Sequence, residues 1–293
     1  MAEQKPRYKV NWLVRRRFWV QSLFLLLFLD PMALRLHNVC GPVFHCYSCP
    51  LALFACPIGI VANFSALHLI PFLAIGTLVL VGSLLGTAIC GWACPFGFLQ
   101  DLISRVPTPK LSLPRWMGYT RYAVLIGLVI VVPYLYGTEH PLFFCLLCPA
   151  GALEGAVPNA VQSAAAGSGL ALPSVQKIII LGAILLAMFF IVRPWCTVFC
   201  PLGAVFSLFN KASILRLRFN REGCRDCGAC HRMCPRHLLP VVDVNNSECV
   251  RCLECTRCRA FQVSTVFGKP SDERFPSKSQ SPQSSEAQSD GAQ

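Results

Sequence analysis

Residues 69–97 read LIPFLAIGTLVLVGSLLGTAICGWACPFG, and residues 178–203 read IIILGAILLAMFFIVRPWCTVFCPLG. Each is an apolar run that ends in C-x3-C-P-x-G, carried by Cys90, Cys94, Pro95 and Gly97 in one copy and by Cys196, Cys200, Pro201 and Gly203 in the other. Cysteines held at a fixed offset from Pro and Gly form an internal repeat, not a scatter of inert thiols. Pro after the second Cys cannot donate a backbone hydrogen bond and starts a new element, while Gly permits close backbone approach. Related units stand at Cys145-Leu-Leu-Cys148-Pro149-Ala150-Gly151, at Cys46-Tyr-Ser-Cys49-Pro50 and at Cys56-Pro57-Ile58-Gly59. The pattern predicts a duplicated two-span unit with a cysteine–proline knuckle at the end of each span.

Outward from these runs, four apolar stretches are candidate membrane helices: about 18–36, 69–89, 117–136 and 175–192. The chain of 293 residues is 54% apolar and 14% charged, against about 25% charged for soluble domains. With a mean hydropathy of +0.53, this excludes an ordinary soluble globule and a charge-rich disordered chain. Eighteen cysteines in so long a chain do not describe a small disulfide scaffold. A net charge of +12 would suit nucleic acid, so its placement decides the matter. Lys5, Arg7, Lys9, Arg15, Arg16 and Arg17 precede the first stretch; Arg105, Lys110 and Arg115 lie between the second and third, with Arg121 at the edge of the third. Arg193 and Lys211 open the positive charge after the fourth, and segments 37–68 and 138–176 carry no Lys or Arg. By the positive-inside rule this alternation predicts a multi-pass protein of the cytoplasmic (inner) membrane with both termini cytoplasmic, a lipid partner and no nucleic-acid partner. Arg16-Arg17-Phe18 resembles part of a twin-arginine signal, but no small-residue cleavage site follows, so the first stretch reads as an anchor.

The expected organisation is a basic N-terminus (1–17), a four-span membrane domain (18–212), a cytoplasmic ferredoxin domain (213–268) and a disordered tail (269–293) rich in Ser, Gln, Pro and Asp. This topology sorts the knuckles by face. Cys90, Cys94, Cys196 and Cys200 fall on the inner side; Cys46, Cys49, Cys56, Cys145 and Cys148 fall on the outer side. Three chemistries compete for each group: a cluster or other metal, redox dithiols, or, outside only, disulfides. One knuckle offers two thiolates where a cube or tetrahedral metal needs four, so the inner four are expected to complete one site between the repeats. Cys46, Cys49, Cys145 and Cys148 are the weaker outer metal candidates, and Cys40 and Cys56 have no assigned role.

The densest signal lies beyond the last span. Cys224, Cys227, Cys230 and Cys234-Pro235 follow C-x2-C-x2-C-x3-C-P, and Cys249, Cys252, Cys255 and Cys258 form a second run. The first run is the bacterial [4Fe-4S] spacing, in which the fourth cysteine ligates the other cluster. That expects Cys224, Cys227, Cys230 and Cys258 on one cluster, and Cys249, Cys252, Cys255 and Cys234 on the other. Zinc ribbons use two separated C-x2-C pairs, not two unbroken four-cysteine runs. Cys227-Gly-Ala-Cys230-His231 matches a haem-attachment motif, but sits inside the ferredoxin run. The second run departs from pattern by ending x2-Cys258-Arg259.

Over residues 12–268 the chain resembles the NapH/NosR/MauN group of membrane-bound polyferredoxins, through Cys90/Cys94/Pro95, Cys196/Cys200/Pro201 and the eight cysteines from Cys224 to Cys258. The resemblance implies a membrane all-α fold of four transmembrane helices plus a small α+β 2[4Fe-4S] ferredoxin-like domain. It further implies two [4Fe-4S] clusters, and electron transfer between the quinone pool and partner redox subunits, as in an electron-transfer subunit of a quinol dehydrogenase. The extra cysteines of CYSCPLALFACPIG and CLLCPAG depart from the NapH type and leave the pathway open. Two other functions compete: a transmembrane thiol–disulfide reductant transporter, and a redox maturation or assembly factor. A quinone site is expected near Asp30, Arg35, His37, His45 and His68, ionisable groups in or beside apolar segments.

Overall fold

A computed structural model describes residues 12–29, 56–153 and 174–266, apart from 112, 222, 225, 226, 237, 243 and 259. Cys40, Cys46, Cys49, Asp30, Arg35, His37, His45 and the tail from 269 lie outside the described residues. Helix α1 spans Trp12–Leu29, α2 Pro57–Ala66, α3 Phe72–Leu85, α4 Ala88–Trp92 and α5 Pro95–Ile103. Helix α6 is Trp116–Tyr136, with a π-helical stretch at Leu125–Val131. A short α7 (Phe144–Leu147), α8 (Val175–Phe190) and α9 (Pro201–Leu208) complete the helical part.

Helix α6 is 21 residues long with a mean hydropathy of 1.5, and among the described residues it alone is long and apolar enough to cross a membrane. The second and fourth expected spans are shorter than the hydropathy indicated. Gly86 (φ 56) turns the chain after α3, leaving 14 helical residues, about 21 Å of helix against a hydrocarbon core of about 30 Å. The fourth ends at Phe190 after 16 residues, where Ile191 turns extended. The first begins earlier than expected, at Trp12, and takes Arg15, Arg16 and Arg17 into the helix.

Helix α2 folds back on α3 across the turn 67–71 and packs on residues 125–136 of α6. Ile58 and Ala62 of α2 and Val129 of α6 are fully enclosed in the main apolar cluster, together with Met188 of α8 and Phe206 of α9. Away from that cluster the same helices leave apolar side chains exposed, such as Leu80, Ile126, Ile179 and Leu186.

The module after α9 is α+β, as expected. Strands β1 (Leu215–Phe219) and β2 (Phe261–Thr265) pair antiparallel, Leu215 opposite Thr265 and Phe219 opposite Phe261. The two cysteine runs lie between the strands, so the pairing brings the ends of both runs together. The short helix α10 (Ala229–Met233) carries Cys230.

Candidate redox centre

The knuckle geometry follows from Cys-Pro. Proline excludes its predecessor from the helical region, so Cys94 (φ −73, ψ 114) and Cys200 (φ −72, ψ 110) become N-caps of α5 and α9. A helix start has N–H groups without intrahelical partners, and here the thiols take them. Gly97 N donates to Cys94 Sγ at 3.3 Å and Gly203 N to Cys200 Sγ at 3.4 Å. The glycine is needed for contact: a Cβ on Gly97 would lie 3.0 Å from Cys90 O, and one on Gly203 3.3 Å from Cys196 O.

Each knuckle also reaches into the other. Gln100 Nε2 of the first donates to Cys196 Sγ of the second at 3.0 Å, and Arg193 Nη1 of the second donates to Cys90 O of the first at 3.2 Å. Cys200 lies close enough to Cys196, Cys90 and Cys94 for their thiolates to repel. The four inner cysteines expected to share a site are therefore brought together. They line a cavity of about 90 Å3.

Of the cysteines sorted to the outer face, Cys56 and Cys148 line this same cavity. Cys56 is the N-cap of α2, and Cys148 directly follows α7. Cys145 and Cys148 neighbour Cys56, while Cys46 and Cys49 lie outside the described residues.

In the ferredoxin module the fourth cysteines cross over. Cys230 neighbours Cys224 and Cys258, and Cys255 neighbours Cys252, Cys249 and Cys234. The shortened ending of the second run thus still delivers Cys258 to the first set. Cys227 is exposed. Burial pushes the Cys252 thiol up to about 12 and raises Cys230, Cys249 and Cys255, so binding iron at these thiols must release protons.

The second set faces the knuckles. Thr87 Oγ1 donates to Cys249 O at 2.6 Å, Trp92 Nε1 to Arg251 O at 3.1 Å and Asn210 Nδ2 to Cys249 O at 2.8 Å. A Cβ on Gly91 would meet Val250 O at 2.4 Å, so only glycine allows this approach. Cys249 lines the knuckle cavity.

Several functional residues escaped the sequence reading. Asp101 receives Arg193 at 2.6 Å through both carboxylate oxygens and Arg17 at 2.6 Å, with Arg193 fully buried. Burial would raise the Asp101 carboxyl, but Arg193 and Arg17 outweigh it and hold it below its ordinary value. Arg193 was visible in sequence as a cation beside a knuckle, yet its carboxylate partner, 92 residues away, was not.

The donor set fits an anionic iron–sulfur group. Arg121 (6% exposed) and Arg251 (1% exposed) are buried, and among the described residues their side chains bond only carbonyl, hydroxyl and amide oxygens, with no carboxylate. Buried cations require compensating charge; Arg121 lines the cavity beside Cys90, and Arg251 lies beside Cys249. Among the described residues no three Cys, His, Asp or Glu side chains are drawn close enough around one point to hold a single metal ion. A mononuclear zinc site needs its ligands at about 2.0–2.3 Å, whereas a cluster spreads its thiolates over several irons.

Comparison with known proteins agrees. A family model described as a 4Fe-4S binding domain matches residues 67–114 and 178–222, one stretch over each knuckle. The uncharacterized protein MJ0750 of Methanocaldococcus jannaschii is 30% identical, over 66% of this chain and 79% of that protein. YccM of Escherichia coli, provisionally named an electron transport protein, is 27% identical over 69% of this chain and 57% of its own length. The methylamine utilization ferredoxin-type protein MauN of Methylorubrum extorquens is 28% identical, over 67% of this chain and 61% of its own length. The chain thus spans less than two thirds of YccM and MauN. No solved structure matches it. These matches define a class, ferredoxin-type electron-transport proteins with a 4Fe-4S binding domain. Within it, the chain belongs to the NapH/MauN-type polyferredoxin family.

Proposed function

We propose that this protein is a four-span membrane electron carrier that links a cytoplasmic bis-[4Fe-4S] ferredoxin module with the quinone pool or a partner redox subunit. The observation that carries it is the shared cavity: the four knuckle thiols and Cys249 of the second ferredoxin set line one space. Cys224, Cys227, Cys230 and Cys258 hold the outward cluster, where exposed Cys227 meets a soluble partner. Cys249, Cys252, Cys255 and Cys234 hold the inward one, and Cys90, Cys94, Cys196 and Cys200 a further cluster beneath it. Each cluster supplies one-electron transfer when bound. The protein's own part is to stabilise thiolate charge with Arg121, Arg193 and Arg251 and with the Gly97, Gly203 and Gln100 N–H groups, which tune such centres.

The membrane reading draws on α6, whose ends carry exposed Trp116 and Tyr119 at one side and Tyr134 and Tyr136 at the other, the aromatic belts of a spanning helix. Exposed apolar faces on α3 and α8 suit the same lipid boundary. At the far side His68 stacks edge-on against Tyr134, ring centroids 4.4 Å apart, and is the described member of the expected quinone group.

The test is iron and acid-labile sulfide per chain after anaerobic purification. Iron above the roughly eight that two cubes hold is expected, with Cys94→Ser and Cys200→Ser each removing the same share and the double variant losing no more. Additive functional losses with full iron retained would turn the knuckles into separate dithiols. Reporter fusions within 105–115 should report cytoplasm and those in the turn 67–71 the outside; the reverse would overturn the topology.

A further inference from the structure

The cleft where α1, α5 and the ferredoxin module meet has no part in the electron path above. It measures about 580 Å3, and Arg15, Arg17, Arg105 and Arg257 line it against two carboxylates, Asp101 and Glu254. We infer that it binds the phosphate of an anionic phospholipid headgroup, held between Arg15 and Arg105. The inference rests on the membrane placement proposed above and on none of the clusters.

Two of the four arginines are already neutralised. Both Asp101 oxygens receive Arg193, and one of them also receives Arg17. Glu254 receives Arg257 Nε at 2.7 Å, with Arg17 Nη1 3.8 Å away. Arg15 and Arg105 meet no carboxylate among the described residues. Arg105 is held by an aromatic ring instead. Its guanidinium lies 4.9 Å from the Phe18 centroid, and Phe18 packs edge-on against buried Phe98 at 5.4 Å. A guanidinium stacked on a ring keeps its N–H fork open to a phosphate.

Helical spacing supplies the other half of a lipid site. Arg15, Trp19, Leu23 and Leu26 stand at i, i+4, i+8 and i+11 of α1, one stripe along the helix. The three apolar members are exposed, as are Leu102 and Val106, which flank Arg105 in sequence. A free phosphate would meet the two arginines and leave this stripe uncovered; a phospholipid covers it with an acyl chain. Basic pockets on the cytoplasmic side of spanning helices hold anionic headgroups in this way.

The opposite wall of the cleft carries Met233, Pro235, Glu254 and Arg257 of the ferredoxin module, beside Cys234, Cys255 and Cys258 in sequence. A headgroup there fills the gap between α1 and the module, so that lipid charge helps to seat the ferredoxin on the membrane domain.

The experiment reconstitutes the full chain anaerobically in nanodiscs of mixed phosphatidylglycerol and phosphatidylcholine, and counts the lipid retained on release by native mass spectrometry. Wild type is expected to retain phosphatidylglycerol in preference. Arg15→Gln and Arg105→Gln should each cut that preference about fivefold, the weight of one cation at a membrane surface, and Arg105→Lys should keep more of it than Arg105→Gln. Lys211→Gln, which removes an exposed cation outside the cleft, should leave it unchanged. Equal loss in Lys211→Gln, or no preference in wild type that stays in the discs, overturns the inference. Displacement of phosphatidylglycerol by an equal concentration of inorganic phosphate also overturns it, making the ligand a soluble anion. Protein that leaves discs of every composition overturns the membrane reading and this inference with it. Should the arginine variants fail to accumulate, wild type decides: a preference that falls with rising salt supports the charge-held headgroup, and one indifferent to salt overturns it.

Discussion

The two knuckles share a backbone and almost none of their surroundings. Cys94 and Cys200 differ by only a few degrees in φ and ψ, and both thiols cap their helices through a glycine N–H. Around that frame, equivalent positions diverge. Gly91 and Trp92 of the first knuckle touch the ferredoxin loop at Val250 and Arg251; Thr197 and Val198 stand in their places in the second. Three residues before the first cysteine, Thr87 bonds Cys249 O in one copy, while Arg193 binds Asp101 in the other. Duplication supplied two identical thiol caps. The first meets the ferredoxin through its backbone loop; the second meets it through the Thr197 hydroxyl, which receives Arg236, and supplies the buried cation that ties the copies together.

The tie should be the most costly part to break. Asp101→Asn leaves Arg193, 0% exposed, without its counter-charge. Loss of one partner of a buried pair typically costs about 3–5 kcal/mol, so the apparent melting midpoint should fall by more than in any other single change named here, with iron lost first from the cluster proposed at the knuckles. A drop no larger than that of a surface substitution would show that the copies are held by packing alone.

The same pair fixes an acid limit. Asp101 is held below its ordinary value by Arg193 and Arg17 despite its burial. A depressed carboxylate contributes stability above its unfolded pKa, about 3.9, and that contribution fades as pH falls through the folded value. Wild type should lose midpoint on acidification below about pH 4, while Asp101→Asn, already lacking the charge, should be flatter there. Parallel curves for the two proteins would place the acid sensitivity elsewhere.

The docking role is tested at Gly91. A methyl there meets Val250 O at 2.4 Å, a clash with backbone that only movement of the ferredoxin loop relieves. Gly91→Ala is expected to cost about 1–3 kcal/mol and to slow the proposed electron transfer between the ferredoxin module and the knuckles, with total iron retained. At the equivalent site of the second copy, Arg236 of the ferredoxin module donates to Thr197 Oγ1; Thr197→Ala removes that bond without a backbone clash and should slow the rate by less. Equal slowing by both would erase the proposed asymmetry.

These contrasts also show what a linear reading reaches. The ferredoxin sets were legible because their thiols sit two or three residues apart, and even the crossing of Cys234 and Cys258 follows from the motif. The pairing of Cys90/Cys94 with Cys196/Cys200 was legible because the repeat is written twice. That Cys56 and Cys148 line the knuckle cavity was not legible, because hydropathy counts apolar residues but does not see where a chain turns back. Helix α3 is interrupted at Gly86, and α2 is a return helix. The Gln100–Cys196 and Arg193–Asp101 links could not be read at all, since they join residues about a hundred positions apart and neither copy carries both halves.

The smallest expected effect separates the two glycine caps. Gly97 and Gly203 occupy the same position after Cys-Pro, but an added Cβ would stand 3.0 Å from Cys90 O and 3.3 Å from Cys196 O. The first distance requires the C-x3-C loop to give way. The second is tight but within what a slight shift absorbs. The constraint on the first loop is also greater, because Arg193 holds Cys90 O and Arg17 and Gln21 hold Gly91 O from the other side. Gly97→Ala should therefore lower the midpoint measurably and Gly203→Ala by less, or not at all, in the same thermal assay. A larger loss at Gly203 would mean that the second loop, not the first, is the one pinned in place, and that the ferredoxin contact does not stiffen its knuckle.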